Sequence, residues 1–171
     1  MDNILDYAIV ELMRMPVALT ALLETKNTHE MLWRPENRKW CLLEILAHLA
    51  DEEKEDFCLR MRLLVEEPGV AWPGIDPEAW VTDRRYRDRN PAECLKEFCL
   101  QRKENAAWLR ELDSAKLSRR YEHPALGAIS AGDLLASWVA HDRLHLKQLM
   151  ETSTLYLRDH ATPYSTAYAM P

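Results

Sequence analysis

The segment Asp133–Met150 reads DLLASWVAHDRLHLKQLM, and it is the strongest indication of the fold. Five of its side chains recur at steps of three and four residues, which is the spacing of one face of an α-helix: Leu134, Trp138, His141, His145 and Leu149. Two imidazoles therefore stand in a seam that is otherwise apolar. The spacing predicts a helix over 130–151 whose buried face carries both histidines.

The same periodicity appears in three further segments and predicts helices over 3–24, 41–66 and 91–112. Pro68 and Gly69 end the second of these. The third opens with Asn90 as N-cap and Pro91 in its first turn.

Ser130 is the expected N-cap of the last helix, and Asp133 completes a variant of the capping box. Residues 70–90 contain Pro73, Gly74 and Pro77. They are predicted to form a crossover loop with one short helix near 77–81, and residues 113–129 are predicted to form a second loop. The mixed tail after residue 151 holds Pro163, which argues against a long fifth helix.

Composition supports an all-α fold. Only 4 of the 171 residues are glycine, and long stretches are rich in Leu, Ala, Glu and Arg. With no alternating strand pattern, the sequence predicts one domain over 1–171: a four-helix bundle with a long crossover loop between helices 2 and 3.

Net charge opposes a nucleic-acid partner. The chain carries 22 basic and 28 acidic residues, for a formal charge of −6, whereas phosphate binding usually needs a basic patch. The basic run over residues 84–89 is short and interrupted by Asp88. We expect it to be a solvated loop or helix end.

Membrane and secretion signals are not expected. No stretch of about 18 apolar residues occurs, and the N-terminal residues lack the basic segment of a signal peptide. The four cysteines, at 41, 58, 94 and 99, show no CxxC spacing. They are expected to be free thiols, which predicts a cytoplasmic protein.

His141 and His145 are candidate metal ligands. At i and i+4 their Cβ atoms lie about 6 Å apart on one helix face, so their ring nitrogens can meet at one ion about 2.1 Å from each. A pair alone is also compatible with buried histidines that bond to a carbonyl or a water. An unpaired buried polar group costs about 1–3 kcal/mol, so the seam needs a reason to hold both.

His48 supplies a third imidazole on the inward side of the second helix, among the apolar residues of the run LLEILAHLA over 42–50. Three inward histidines on two facing helices suit Zn, Ni or Fe(II) and leave coordination positions open for water or substrate. His29 and His160 lie in polar segments and are expected to be solvated. His123 is expected at the surface, in a loop that leads to the bundle mouth.

At the level of motifs, the chain resembles a known family. The run WCLLEILAHLADEE over 40–53 is similar to the second helix of the DinB superfamily, in its YfiT-like branch, and 123–127 with 138–148 resemble its closing motif. The likeness extends from Trp40 to about Gln148, and Arg102 fits it. Cys41 departs from the Ser or Thr that often caps this helix.

The resemblance implies a four-helix bundle with a metal site of three histidines, His48, His141 and His145. It also implies frequent homodimers, which the surplus tryptophans Trp72, Trp80 and Trp108 support weakly. Some relatives are thiol transferases that use a low-molecular-weight thiol, and others are metal-dependent hydrolases.

Two functions remain open from sequence. In the first, a bound divalent metal activates a thiol or water, and Glu52 or Asp142 handles a proton or orients a histidine. Both acids are also ordinary residues of a helix surface. Trp40 and Trp138 are candidates for the cavity wall. In the second, the protein is a non-catalytic metal- or small-ligand-binding bundle that acts in stress response.

Overall fold

The computed structural model describes residues 4–35 and 40–170. Within them the chain forms seven α-helices and one two-stranded hairpin. The helices are α1 (Ile4–Leu23), α2 (Thr28–Leu32), α3 (Leu42–Glu55), α4 (Phe57–Glu66), α5 (Pro77–Asp83), α6 (Pro91–Arg110) and α7 (Ala131–His160). Four long segments, α1, α3 with α4, α6 and α7, make the expected bundle. The predicted start of the first helix at Asn3 lies outside the described residues.

The second long segment is broken, although one helix over 41–66 was expected. Asp56 leaves the helical region, with φ −119° and ψ −99°, and separates α3 from α4. The backbone bonds on either side are kept, because Asp56 N–H donates to Glu52 and Arg60 N–H donates to Asp56. No glycine or proline marks the break, so periodicity passes through it unchanged.

Two short helices lie in the connections. Asn27 caps α2 in the connection between the first and second predicted helices. Asp76 caps α5 at the place where the sequence predicted a short helix near 77–81. A 3-10 turn over Tyr86–Asp88 completes the crossover to α6.

The prediction of a loop without strands was wrong for residues 120–130. Here β1 (Arg120–His123) pairs antiparallel with β2 (Gly127–Ser130). Gly127, at φ +73°, supplies the left-handed residue that closes the hairpin. Four-residue strands are too short to show a clear alternation of apolar and polar side chains. Ser130 and Asp133 form the expected capping box.

The last helix continues to His160, about nine residues beyond its predicted end. Its final turns pack against α2, where Tyr156 contacts His29 and Trp33 through edge-on rings, and His160 stacks on Tyr156. The contacts with His29 and Trp33 give the polar C-terminal turns of α7 a packing partner that the sequence of the helix alone does not reveal.

Buried side chains form two apolar groups with polar residues between them. One group holds the C-terminal half of α1 and most of α3, and the other holds the N-terminal half of α1, α4 and the first turns of α7. Between these groups lies a polar layer of buried residues from the α3–α4 segment, α6 and α7: His48, Glu52, Glu53, Asp56, Arg102, Asn105, Asp142 and His145.

The basic run over 84–89 is largely neutralised. Arg84 binds Asp51 and Glu55, and Arg89 binds Asp51 and Glu97. Its guanidinium groups therefore hold the crossover against α3 and α6. The four cysteines are free thiols. In the part of the chain that the structure describes, no helix combines the length and apolar character that crossing a membrane requires.

Candidate metal centre

Helices α3 and α7 bring three imidazoles together. The Nε2 atom of His145 lies 3.1 Å from Nε2 of His48 and 3.0 Å from Nε2 of His141. A ligand atom from each of the three residues lies within 4.8 Å of the others. His141 and His145 converge because they are one turn apart on α7, and His48 meets them from the facing side of α3.

Aromatic rings form the walls of this histidine cluster. The ring of Trp40 lies 4.9 Å from that of His48 and parallel to that of His145, and the ring of Phe57 lies 5.0 Å from that of His141. His48 and His145 are buried, at 3% and 6% exposure. The side chain of His141 keeps 17% of its surface exposed, so solvent reaches the cluster from its side.

Burial keeps the three rings neutral. It lowers the pKa of His48 to about 3 and of His141 to about 2, and each value is lowered further by the proximity of His145. The pKa of His145 is also lowered by burial. A neutral imidazole keeps the lone pair that a metal ion needs.

The second ring nitrogen has a partner in His145 but not in His48. Nδ1 of His145 lies 2.8 Å from Oε1 of Gln148. Because a carbonyl oxygen only accepts, Nδ1 carries the proton and Nε2 presents its lone pair to the cluster. Nδ1 of His48 is buried with no hydrogen-bond partner among the described residues.

Glu52 is the carboxylate beside the histidine cluster. Its Oε2 lies 3.3 Å from Nε2 of His141, and its Oε1 lies 3.9 Å from Nε2 of His48. Burial, with the neighbouring charge of Asp56, raises the pKa of Glu52 to about 8. The carboxyl group therefore holds a proton near neutral pH in the metal-free protein.

Comparison with known proteins identifies the family of this chain. The model of the DinB superfamily matches residues 11–149, which is most of the chain. This chain belongs to the DinB superfamily.

Two further proteins are similar to this chain. A curated protein of Oceanobacillus iheyensis, whose name provisionally assigns it as a metal-dependent hydrolase, is 25% identical over 111 residues. The match spans 64% of this chain and 63% of that protein, so the chain covers less than two thirds of its relative. The structure of YfiT from Bacillus subtilis, described as a probable metal-dependent hydrolase with an unusual four-helix bundle topology, superposes with a TM-score of 0.80. It is 22% identical and covers 88% of this chain and 86% of its own, which establishes the shared fold.

The second candidate acid in this DinB-superfamily bundle, Asp142, is paired with an arginine. Both of its oxygens accept hydrogen bonds from the guanidinium of Arg102. It is 5% exposed. Asp142 is thus a partner of a buried arginine, whereas Glu52 is the acid that contacts the histidines.

Three residues around the site were not predicted to belong to it. Gln148 orients His145, Phe57 packs on His141, and Asp56 raises the pKa of Glu52. A signal existed for two of them, because Gln148 follows His145 by three positions and Asp56 follows Glu52 by four, as neighbours on a helix face do. Phe57 is predicted on the apolar face of the second helix, but the sequence does not show that it contacts His141.

The histidine cluster fits a divalent metal. Three neutral imidazoles with two nitrogen separations near 3 Å can share one ion at about 2.1 Å from each ligand. Nitrogen donors of this kind suit Zn, Ni and Fe(II). His48, His141 and His145 are the residues that would hold the ion.

Proposed function

We propose that this protein is a metal-dependent enzyme that acts on a small-molecule substrate at the histidine cluster, as a hydrolase or as a thiol S-transferase. The observation that carries the proposal is the convergence of the Nε2 atoms of His48, His141 and His145, with two of the three rings buried and His141 half-buried. The names of the two similar proteins support a metal-dependent hydrolase. The thiol reaction is supported by the family resemblance of the motifs.

When bound, a divalent ion lowers the pKa of a coordinated water or thiol and so supplies a nucleophile near neutral pH. His48, His141 and His145 would hold the ion, and a set of three protein ligands would leave a position for substrate. Gln148 fixes the ring orientation of His145. Trp40 and Phe57 exclude bulk water from two sides of the cluster.

Glu52 is the proposed acid–base residue. It lies within 4 Å of two of the histidines, at 3.3 and 3.9 Å. A group whose pKa lies near the working pH can both give and take a proton at a useful rate, and the pKa of Glu52 is raised to about 8. Asp142 retains a supporting role through Arg102, to which both its oxygens bind.

A second candidate is a non-catalytic protein that binds a metal or a small ligand. The observation that favours it is the burial of His48 and His145, at 3% and 6% exposure, behind the ring of Trp40. A site enclosed in this way holds an ion well but limits the approach of a large substrate.

Metal analysis of untagged protein is the first test. We expect about one equivalent of Zn, Ni or Fe per chain, removed by a chelator and restored by adding the ion. The restored protein is then screened with ester and amide substrates, and with low-molecular-weight thiols plus an electrophile, with and without chelator.

The readouts separate the two candidates. Turnover that depends on the metal and falls in Glu52→Gln supports the enzyme. Stoichiometric metal without turnover across the screen favours the binding protein. Absence of metal at every ion tried contradicts the enzyme and the metal-binding form of the second candidate.

A further inference from the structure

Arg102 of α6 lies at the centre of the polar layer, with 1% of its surface exposed. Each of its five N–H groups has an acceptor. Nε and Nη2 donate to the two oxygens of Glu53 at 2.8 and 2.7 Å, and Nη1 donates to the carbonyl of Leu12 at 2.9 Å. The remaining two donate to the carboxylate of Asp142. One side chain thus links α1, α3, α6 and α7.

The two carboxylates are direct chain neighbours of residues in the site. Glu53 follows Glu52 on α3, and Asp142 follows His141 on α7. A carboxylate held by Arg102 therefore fixes how far α3 or α7 can slide along its own axis, at the level of the histidine cluster. Asn105 adds to the α3 side, because its amide donates to the carbonyl oxygen and to Oε1 of Glu53.

We infer that Arg102 is a positioning residue whose guanidinium holds α3 and α7 in the register at which His48 meets His141 and His145. This inference rests on the proposed metal site. A slip of one helix turn, about 5.4 Å, would take either carboxylate out of hydrogen-bond range of the fork. The imidazole nitrogens approach one another at 3.0 and 3.1 Å, but these contacts join neutral rings. The guanidinium of Arg102 joins α3 to α7 through two carboxylates, and such charge-assisted hydrogen bonds are stronger.

Two aromatic rings pack against the guanidinium group of Arg102. Its central carbon lies 4.7 Å from the ring centre of Phe98 and 5.4 Å from that of Trp138. Trp138 in turn stacks on Phe57, which packs against His141. Arg102 is therefore linked to the histidine cluster in two ways. Its hydrogen bonds reach it through Glu53 and Asp142, and its ring contacts reach it through Trp138 and Phe57.

Lysine cannot replace this arrangement. An ammonium group has three donors and behaves as a point charge, whereas arginine presents a planar fork that binds two carboxylates at once. Arg102→Lys keeps the positive charge but removes the planar fork. It therefore tests the alignment of α3 with α7 separately from the effect of the charge.

The experiment measures metal affinity and geometry in the full chain. Chelator-treated wild type, Arg102→Lys and Arg84→Lys are titrated with Zn, and with Co(II) as a spectroscopic probe of ligand geometry. Arg84→Lys is the matched control, because Arg84 also binds two carboxylates, but both of them, Asp51 and Glu55, belong to α3. Leu19→Ala, a buried change on α1, controls for general destabilisation.

We expect Arg102→Lys to weaken Zn binding by about 10- to 100-fold, the range seen when supporting residues of a metal site are changed, and to alter the Co(II) spectrum. The two controls should bind within a few-fold of wild type with its spectrum. Equal affinity and an identical spectrum in Arg102→Lys would overturn the inference while leaving the metal site intact. If Arg102→Lys does not fold, Glu53→Gln is tested instead. This variant keeps the shape of the side chain through which Arg102 binds α3, and its Zn affinity and Co(II) spectrum decide whether the inference holds. A wild-type protein that binds no metal contradicts the proposed function instead.

Discussion

The Nε2 atoms of His48 and His145 lie 3.1 Å apart, although 97 positions separate the two residues in the chain. Each of these nitrogens faces another imidazole. Burial keeps both rings neutral, so their lone pairs are available to a shared ion. This contact is the structural basis of the metal site that we propose.

His145→Ala should abolish metal retention. The variant removes the ring that contacts both other histidines, at 3.0 and 3.1 Å. We expect metal content to fall by at least about tenfold with the helical circular dichroism signal retained, because a chain of this size folds without a metal. His160→Ala, in an exposed ring at the end of α7, is the control and should keep the wild-type metal content. Retention in His145→Ala would remove this residue from the ligand set.

Acid should destabilise the metal-free protein through His48 and His141. Their pKa values are about 3 and about 2 in the folded chain, below the ordinary value of 6.5. Between about pH 6.5 and 3 the unfolded chain therefore binds protons that the folded chain does not, and stability is lost as pH falls.

The size of this effect is testable by urea unfolding at about pH 7.5 and about pH 5. Each histidine should contribute a loss of about 2 kcal/mol at the lower pH. His141→Gln lacks one of these two titrating groups. The free energy of unfolding that it loses between the two pH values should therefore be smaller than that of wild type by about 2 kcal/mol. An equal loss in wild type and variant would show that His141 titrates normally.

Glu52 should show the opposite pH dependence. Its pKa is raised to about 8 from the ordinary 4.5, so the folded chain holds an extra proton between these values. The stabilisation is complete below about pH 4.5 and is lost as pH rises towards 8.

Glu52→Gln mimics the protonated form at every pH. In chelated protein it should be more stable than wild type at about pH 9 by about 1 kcal/mol or more, and the difference should shrink at about pH 5. Glu67→Gln, at the exposed end of α4, should show no such trend. A constant difference at both pH values would argue against a raised pKa.

Removing the charge of Arg102 should destabilise the fold strongly. Arg102→Ala leaves Glu53 and Asp142 buried without their partner, and breaking a buried ion pair typically costs about 3–5 kcal/mol. The triple variant Arg102→Met, Glu53→Gln and Asp142→Asn removes the unpaired charges and should recover part of this loss. Arg85→Ala, at an exposed pair with Asp88, should change the free energy of unfolding by less than about 1 kcal/mol.

A homodimer remains a prediction, and light scattering tests it. The expected mass is twice that of the 20.0 kDa chain. The tryptophans that supported it weakly are partly covered in the structure, because Arg60, Arg84 and Arg62 lie over Trp72, Trp80 and Trp108. Exposed apolar side chains such as Val17 and Leu144 are better candidates for an interface. A monomeric mass across the micromolar range would contradict the prediction.

Periodicity was enough to predict the helical architecture and the inward direction of the histidines. The steps of three and four residues that place His141 and His145 on one face of α7 are a local property of any helix, so the sequence alone predicts them. The caps at Asn90 and Ser130 were predicted for the same reason, since a cap needs only its own next few residues.

Packing between distant segments set the features that periodicity could not predict. The break at Asp56 and the hairpin over 120–130 have no clear periodic signal in the sequence. The final turns of α7 pack against His29 and Trp33, which lie far away in the chain. The division of roles between the two candidate acids arose in the same way. Glu52 and Asp142 look alike in sequence, but only the packing of α6 brings Arg102 to Asp142 and leaves Glu52 beside the histidines. A side chain's face is fixed by its own helix, whereas its charged partner and its pKa are fixed by whatever the other helices bring within a few ångströms of it.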